Sequence, residues 1–412
     1  MKRLLVLGAG TAGTMVVNKL RHRLSPAQWQ ITVVDATDRH HYQPGYLFLP
    51  FGTYGPDEIV RPRQGTVVRG VELVYGDIER VDPQAHEVLL ADGRRLPYDK
   101  LVIATGVVPR PDQTPGLLDG GEWRRSVFDF YTLDGAMALA GALRRFDGGR
   151  LVVHIVDMPI KCPVAPLEFA FLADAWLRER GRRDRVELVY ATPLPGAFTK
   201  PIAADRLGSM LDERKIAVEP DFLVERVDAT TLVSYDERRI PFDLLVTVPL
   251  NMGAEYVARS GLGNELNLVP VDRFTLQSKA HADIFAIGDA NDIPTSKAGS
   301  VAHFAVEVFA DNFVQHVHGE PMTGRFDGHA NCFVESGDGK ALLIDFNYDT
   351  EPLPGEYPMP GVGPFRLLAE TRTNHLGKLA FRWMYWNLLL PGRPIPLPAH
   401  MSMAGKHPPL EK

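Results

Sequence analysis

The chain of 412 residues is 45% hydrophobic and 23% charged, a composition typical of a globular protein with two or three domains. Lysine and arginine total 45 and aspartate and glutamate total 51, so the net charge of −6 argues against a nucleic-acid-binding protein. Two cysteines, Cys162 and Cys332, are too few for the disulfide framework of a small secreted domain.

The N-terminal segment has the pattern of a β-α-β unit. Residues 3–7 predict a buried strand, 14–23 a helix and 30–34 a second strand. Because this strand follows Met1 without an apolar leader, we expect no secretory signal peptide. We also expect no transmembrane helix, since the chain lacks an apolar run of about eighteen residues.

Residues 8–13, with the sequence GAGTAG, form a G-x-G-x-x-G motif between the first strand and the helix. Gly8 allows a tight turn, Gly10 lets the backbone approach a pyrophosphate, and Gly13 lets helix and strand pack closely. Asp35 ends the second strand, where it is expected to bind the adenosine ribose. The pattern predicts a dinucleotide site that comprises Gly8, Gly10, Thr11, Ala12, Gly13 and Asp35.

Three more strands are predicted before the first linker, at residues 71–81, 86–90 and 101–104. The proline-rich segment 109–115 has the composition of a linker between domains. A second alternating region follows, with strands at 151–156, 186–190 and 244–248 and helices at 167–179 and 203–214. This alternation predicts a second Rossmann-like domain.

The loop after the strand at 151–156 has the sequence DMPIKCPVAP, which contains no glycine. Because proline lacks an N–H group and bulky side chains block a close approach, we expect no NAD(P)H site there. Cys162 lies in this loop, beside Lys161 and just before a helix, and both neighbours favour a thiolate. The alternative for Cys162 is a buried, inert cysteine.

Two segments, 98–106 (YDKLVIATG) and 282–290 (ADIFAIGDA), resemble the signatures of the large FAD-dependent disulfide-reductase-like flavoproteins. The resemblance implies that the dinucleotide is FAD, that Asp289 binds the ribityl chain, and that a helix starting near Ser300 points at the flavin. Further FAD-binding residues are then Ile78, Ala104, Thr105, Gly106, Gly288, Asp289 and Lys297.

Residues 161–168, KCPVAPLE, resemble the K-C-x-x-A-P-x-E segment of sulfide:quinone oxidoreductases and of the flavoprotein subunit of flavocytochrome c sulfide dehydrogenases. Cys332 resembles the second redox cysteine of that family. The resemblance implies that Cys162 and Cys332 form a bridge that sulfide attacks, with electrons passing to FAD and then to a quinone. It makes Glu168 a candidate proton carrier; the alternative is that Glu168 only complements the helix dipole.

Many family members carry a third cysteine, and this chain has none near residues 120–130. FAD is therefore expected to be non-covalent, or at least not attached through a third cysteine. The same absence favours release of a short polysulfide, or transfer of the sulfur to an external thiol acceptor.

The C-terminal segment 375–390, HLGKLAFRWMYWNLLL, predicts an amphipathic helix, part of a longer helix from about 366 to 390. Its apolar arc contains Leu376, Leu379, Trp383, Trp386 and Leu390, and its basic arc contains His375, Lys378 and Arg382. We interpret it as an interfacial helix that makes the protein monotopic and membrane-peripheral and admits a quinone beside Phe365, Phe381 and Tyr385. A core or dimer-interface helix is the alternative.

The predicted fold class is α/β, with two Rossmann-like domains of the three-layer ββα type and a C-terminal region that ends in an amphipathic helix. Residues 1–112 and 267–321 are assigned to the FAD domain, 113–266 to the second domain and 322–412 to a quinone and membrane region. The 13 histidines show no ligand spacing, so no metal is expected. The predicted function is FAD-dependent oxidation of sulfide with quinone as acceptor. Alternative functions that stay open are sulfide oxidation with a cytochrome acceptor, an NADH:quinone oxidoreductase and a flavin-binding redox sensor. A homo-oligomer is also possible from the sequence.

Overall fold

The computed structural model describes residues 1–395 and 397–407. The N-terminal part is built on a five-stranded parallel sheet whose strands, in spatial order, are Ile284–Ala286, Lys100–Ile103, Lys2–Leu7, Trp29–Asp35 and Val71–Tyr75. Helices Thr11–Arg21 and Gly299–Val317 contact each other beside this sheet. An antiparallel sheet accompanies it, with strands Ile78–Asp82, Glu87–Leu90 and Arg95–Pro97. Smaller elements are strands Arg39–His41 and Val60–Pro62 and helix Pro56–Ile59.

The central part repeats the same design. Its parallel sheet contains, in spatial order, Val127–Phe128, Leu244–Val248, Gly149–Ile155, Val186–Ala191 and Ala217–Glu219. Its helices are Leu133–Arg145, Ala165–Glu179, Pro201–Glu213 and Glu255–Arg259. Its antiparallel sheet contains Val224–Asp228, Thr231–Ser234 and Arg239–Pro241. The chain passes between the two parts through a two-stranded antiparallel ladder of Val107–Pro109 and Asn251–Gly253.

The C-terminal part is a four-stranded sheet with spatial order Ala330–Gly337, Lys340–Phe346, Phe365–Leu367 and Gly355–Tyr357. It carries helix Arg372–Met384, which continues into a π-helical turn, Tyr385–Leu389. Residue 396 and the last five residues of the predicted region 322–412 lie outside the described residues. The domain boundaries assigned from the sequence stay a prediction.

Two predicted elements differ from the structure. The C-terminal helix begins at Arg372 rather than near residue 366, because Phe365–Leu367 is a strand and Thr371 caps the helix by accepting a hydrogen bond from the Asn374 amide at 3.0 Å. The predicted strand 71–81 is divided near Gly76, whose amide donates to the Asp35 carbonyl at 3.0 Å. Its two halves therefore belong to different sheets.

A buried charged cluster fastens the C-terminal tail to this last sheet. The Asp345 carboxylate accepts hydrogen bonds from the His329 Nε2 and the Asn331 amide, both at 2.9 Å, and it forms an ion pair with the Lys406 ammonium. The Asp345 and Lys406 side chains are each 1% exposed. Since a buried charge is stable only with a partner, Lys406 holds the tail beside the strand that carries Cys332.

We predict that Lys406→Met lowers the local unfolding free energy of this sheet by about 3 kcal/mol, because it leaves Asp345 without its cationic partner. Native-state hydrogen exchange of strands Ala330–Gly337 and Lys340–Phe346 measures it. Lys340→Met, at an exposed lysine of the same sheet, is the matched control. Equal protection in the two variants would contradict the assigned role of Lys406.

Candidate active site

A single cavity of about 1180 Å³ brings together nearly all residues predicted for the site. Small-molecule pockets usually measure roughly 300–1,000 Å³, so this cavity is large enough for a dinucleotide with a substrate beside it. Its walls include Gly8, Gly10, Thr11, Ala12, Asp35, Ile78, Ala104, Thr105, Gly106, Cys162, Glu168, Gly288, Asp289, Lys297 and Cys332. Gly13 is buried behind this wall, and the roles assigned to all these residues stay predictions.

The glycine loop has the geometry that a pyrophosphate requires. Gly8 has a φ of +92°, and a Cβ atom there would lie 2.5 Å from the Ala104 carbonyl oxygen. A Cβ atom on Gly13 would lie 1.8 Å from the Gly8 carbonyl oxygen, so this glycine lets the helix pack against the strand. Gly10 has no atom within 4 Å of its would-be Cβ, which leaves the backbone open to a ligand. The loop residues therefore fit a dinucleotide.

Asp35 is held in place by a residue that the sequence did not single out. Its carboxylate accepts a hydrogen bond from the Ala9 amide at 2.8 Å and pairs with the Arg63 guanidinium at 3.0 Å. Arg63 is buried and also donates to the carbonyls of Ala9 and Thr37. No motif marks Arg63, because only the packing of the segment after strand Val60–Pro62 brings it to Asp35.

Lys297 joins the Asp289 turn to the cysteine loop. Its ammonium donates to the Asp289 and Asn291 carbonyls at 2.8 and 2.9 Å, while its own carbonyl accepts from the Cys162 amide at 2.7 Å. Burial raises the pKa of the Asp289 carboxyl, and the positive charges of Lys297 and Lys161 oppose that change. Lys297 thus connects the Asp289 turn to the Cys162 loop through hydrogen bonds with backbone groups.

The backbone of Cys162 lies in the left-handed region, with a φ of +44°. A non-glycine residue in this region costs roughly 1–3 kcal/mol, and the surrounding contacts must hold it there. The Cys162 carbonyl accepts hydrogen bonds from the Ala165 amide at 2.8 Å and the Tyr131 hydroxyl at 3.2 Å, in addition to the Lys297 contact. The fold therefore fixes the position of this thiol at an energetic cost.

Both cysteines are free thiols in the wall of the same cavity, and burial of Cys162 opposes the thiolate that its neighbours in the sequence favour. Burial, with the negative charge of Glu168, raises the pKa of Cys162, and burial raises the pKa of Cys332 to about 11. The adjacent Lys161 does not supply the compensating charge, because its ammonium donates to the Gln43 side chain at 3.1 Å. The positive charge of Lys378 opposes this rise in pKa at both thiols.

Lys378 and Glu168 form an ion pair beside these thiols. The Lys378 ammonium contacts one Glu168 oxygen and donates to the Phe333 carbonyl at 2.9 Å, and the same Glu168 oxygen accepts from the Glu335 amide at 2.7 Å. The Glu168 side chain is 0% exposed, and its other oxygen has no hydrogen-bond partner among residues 1–395 and 397–407. Although burial disfavours the ammonium, Glu168, Cys162 and Glu335 raise the pKa of Lys378.

A second acid lies next to this pair. The Glu335 carboxylate is buried and contacts the His375 Nδ1 at 3.0 Å. Burial raises the pKa of Glu335, against the positive charges of Lys378 and His375. The cavity wall thus holds titratable groups from three elements, namely Glu168, Cys332 and Lys378, and the Glu335–His375 pair lies next to them.

The predicted arcs of the C-terminal helix are wrong in part. Leu376 and Trp383 are each 63% exposed, whereas Trp386 and Leu390 are buried. The π-helical turn Tyr385–Leu389 has a different pitch from an α-helix, so Trp386 within it and Leu390 after it leave the apolar arc. Of the predicted basic arc, Lys378 lines the cavity, His375 contacts Glu335, and Arg382 pairs with Glu58. Within the described residues, no helix combines the length and hydropathy needed to span a membrane.

The fold and the cavity define a two-domain dinucleotide-binding protein in which a cysteine loop replaces the second glycine loop. A family model described as pyridine nucleotide-disulphide oxidoreductase matches residues 2–153. A mitochondrial sulfide:quinone oxidoreductase of Mus musculus is 24% identical over 397 residues, which cover 94% of this chain and 86% of that protein. The corresponding protein of Dictyostelium discoideum is 25% identical over 403 residues, which cover 95% of this chain and 86% of that protein.

Among solved structures, the sulfide:quinone oxidoreductase of Aquifex aeolicus superposes with a TM-score of 0.77 at 20% sequence identity. The match covers 94% of this chain and 92% of that one. These comparisons confirm the α/β fold with two Rossmann-like domains and the resemblance to sulfide:quinone oxidoreductases. They indicate an oxidoreductase enzyme and imply that its cofactor is a flavin, FAD.

We predict that Lys378→Met moves the thiol titrations to higher pH, by about one pH unit, because it removes the cation that favours both thiolates. The rate of alkylation of each cysteine in the reduced protein, followed against pH by peptide mass spectrometry, measures this. The exposed Lys340→Met serves as the matched control and is expected to keep the native profile. A native profile for Lys378→Met as well would remove Lys378 from the thiol site.

Proposed function

We propose that this protein oxidises sulfide through Cys162 and Cys332 and transfers the electrons, by way of non-covalently bound FAD, to a membrane quinone. One observation carries the proposal: both thiols, the Lys378–Glu168 ion pair and the glycine loop line one cavity. The loop after strand Gly149–Ile155, where a nicotinamide dinucleotide would bind in a second Rossmann-like domain, carries Cys162 instead of glycines.

The residues around the thiols fit sulfide chemistry. In the oxidised protein Cys162 and Cys332 form a bridge, and attack by HS⁻ makes one S–S bond and breaks another. One cysteine then carries a persulfide and the other leaves as a thiolate, whose charge the Lys378 ammonium stabilises. The free Glu168 oxygen is placed to accept the proton released from HS⁻. We propose these roles for Cys162, Cys332, Glu168 and Lys378.

The electrons balance over the cycle. Oxidation of HS⁻ to zero-valent sulfur releases one proton and two electrons, and reduction of a quinone to a quinol consumes two electrons and two protons, so the second proton comes from the solvent. Bound FAD supplies the two-electron relay between these half-reactions. With two cysteines in the chain, no third thiol extends a polysulfide in the site, so we propose release of a short polysulfide or transfer to an external thiol.

The acceptor side lies where the cavity reaches the C-terminal part. Aromatic and apolar side chains line it there, as a quinone ring requires: Phe333, Tyr357, Phe365, Phe381, Tyr385 and Leu397. Lys378 lines this end and is placed to deliver a proton to a quinone oxygen, while the Glu335–His375 pair lies next to the Lys378–Glu168 pair, outside the cavity wall. Large apolar side chains of the same region are exposed, namely Met359, Val362, Leu376, Trp383 and Met403. We propose that they enter a lipid surface.

Anaerobic mixing with sulfide is expected to bleach the flavin absorbance, and mixing with NADH is expected to leave it unchanged. Cys162→Ser and Cys332→Ser are expected to slow sulfide bleaching by roughly 10³-fold or more, because each removes half of the sulfur bridge. Stopped-flow absorbance measures both, with the flavin content of each variant as the control. Bleaching by NADH but not by sulfide would show that the proposed function is wrong.

Membrane association is tested at the exposed side chains of the C-terminal helix. Leu376→Glu and Trp383→Glu are each expected to weaken binding to vesicles of mixed neutral and anionic lipid by about tenfold, because burial of one such side chain contributes roughly 1.5–3 kcal/mol. Co-sedimentation with the vesicles measures it. Leu223→Glu, at a leucine 50% exposed in the central part, is the matched control. If all three variants sediment alike, this helix is not the membrane contact.

A further inference from the structure

A short chain of hydrogen bonds connects the glycine loop to the C-terminal helix. The Tyr385 hydroxyl lies 2.8 Å from the Thr11 hydroxyl and 2.6 Å from the His40 Nε2. The His40 Nδ1 in turn lies 3.1 Å from the carbonyl oxygen of Ala9, in the same loop. Tyr385 and His40 are 2% and 1% exposed, so water does not compete for these bonds.

The direction of donation along this chain follows from its two ends. Burial and the charge of Arg63 lower the pKa of His40 to about 3, so the ring is neutral near pH 7. A carbonyl oxygen only accepts, and therefore the His40 proton sits on Nδ1 and Nε2 accepts from the Tyr385 hydroxyl. The Tyr385 oxygen is then left to accept from Thr11. The Thr11 hydroxyl is thereby committed to Tyr385, and its backbone amide remains for a phosphate.

A second contact joins the same two helices. The Asn18 side-chain amide donates to the Leu390 carbonyl at 2.8 Å and to the Thr66 carbonyl at 2.8 Å, and its oxygen accepts from the Val68 amide at 2.9 Å. Asn18 lies two turns beyond Thr11 on the helix that opens at the glycine loop. The end of the C-terminal helix is thus attached at two points of the helix that faces the phosphates.

We propose that Tyr385 and His40 are positioning residues for the dinucleotide: they hold Thr11 and the Ala9 carbonyl so that the loop amides stay directed at the pyrophosphate. FAD retention and docking of the Tyr385–Leu389 turn are then one linked equilibrium, in which each stabilises the other. This inference rests on the proposed FAD site and goes beyond it, because it gives the acceptor-side helix a part in holding the cofactor.

The test measures FAD release from the purified full-length holoprotein, by the recovery of flavin fluorescence on dilution. Thr11→Val removes one hydrogen bond of this chain and is expected to weaken FAD binding by about fivefold. Tyr385→Phe removes the bonds to both Thr11 and His40 and is expected to weaken it by at least as much, and the double variant no further than Tyr385→Phe, because both changes break one chain. The matched control is Tyr98→Phe, at a buried tyrosine whose hydroxyl has no partner among residues 1–395 and 397–407.

A second readout separates positioning from general stability. Hydrogen exchange at Tyr385–Leu389 is expected to be faster in the protein stripped of FAD than in the holoprotein. The inference would be overturned if Tyr385→Phe released FAD at the native rate, or if the effects of Tyr385→Phe and Thr11→Val were additive. The Thr11 hydroxyl would then be assigned to a phosphate contact. A protein that purifies without any flavin would instead contradict the proposed function itself.

Discussion

The ion pair of Lys378 and Glu168 is the interaction on which the rest of the site depends. A charge in a largely buried position is stable only when an opposite charge and hydrogen bonds replace the water it has lost. Glu168 belongs to the helix behind Cys162, and Lys378 to the helix that covers the cavity from the C-terminal side. Their pairing joins these distant segments beside the cavity that Cys162 and Cys332 line.

The same requirement explains three further contacts between distant segments of the site. Lys297 ties the Asp289 turn to the Cys162 loop through backbone carbonyls, Arg63 holds Asp35, and Tyr385 with His40 holds the glycine loop. In each case a buried polar side chain from one segment satisfies the backbone or side chain of another. The dinucleotide end and the sulfur end of the cavity therefore share one hydrogen-bonded frame, and the C-terminal helix takes part in both.

Sequence patterns predicted the α/β fold and the residues of the glycine loop, because strand–helix alternation and glycine spacing are local properties. They were less successful where tertiary packing decided the outcome. Lys161 was expected to activate Cys162 because the two are neighbours in the chain, yet Lys378 is the cation whose charge favours the Cys162 thiolate. Lys378 was assigned to the basic arc that flanks the apolar, membrane-facing side of the helix, because a periodicity of 100° per residue places it on a helix face without showing what that face contacts.

The sequence by itself determined which chemistry the chain can carry: a pyrophosphate loop at Gly8–Gly13, two thiols and a central loop without glycine. These depend on residue identity and short spacing. Only the tertiary structure decided the electrostatics, such as which cation serves the thiols and which base holds the Tyr385 hydroxyl. The physical reason is that a thiol or hydroxyl responds to charges within a few ångströms and to the loss of water, and both depend on contacts between segments far apart in the chain.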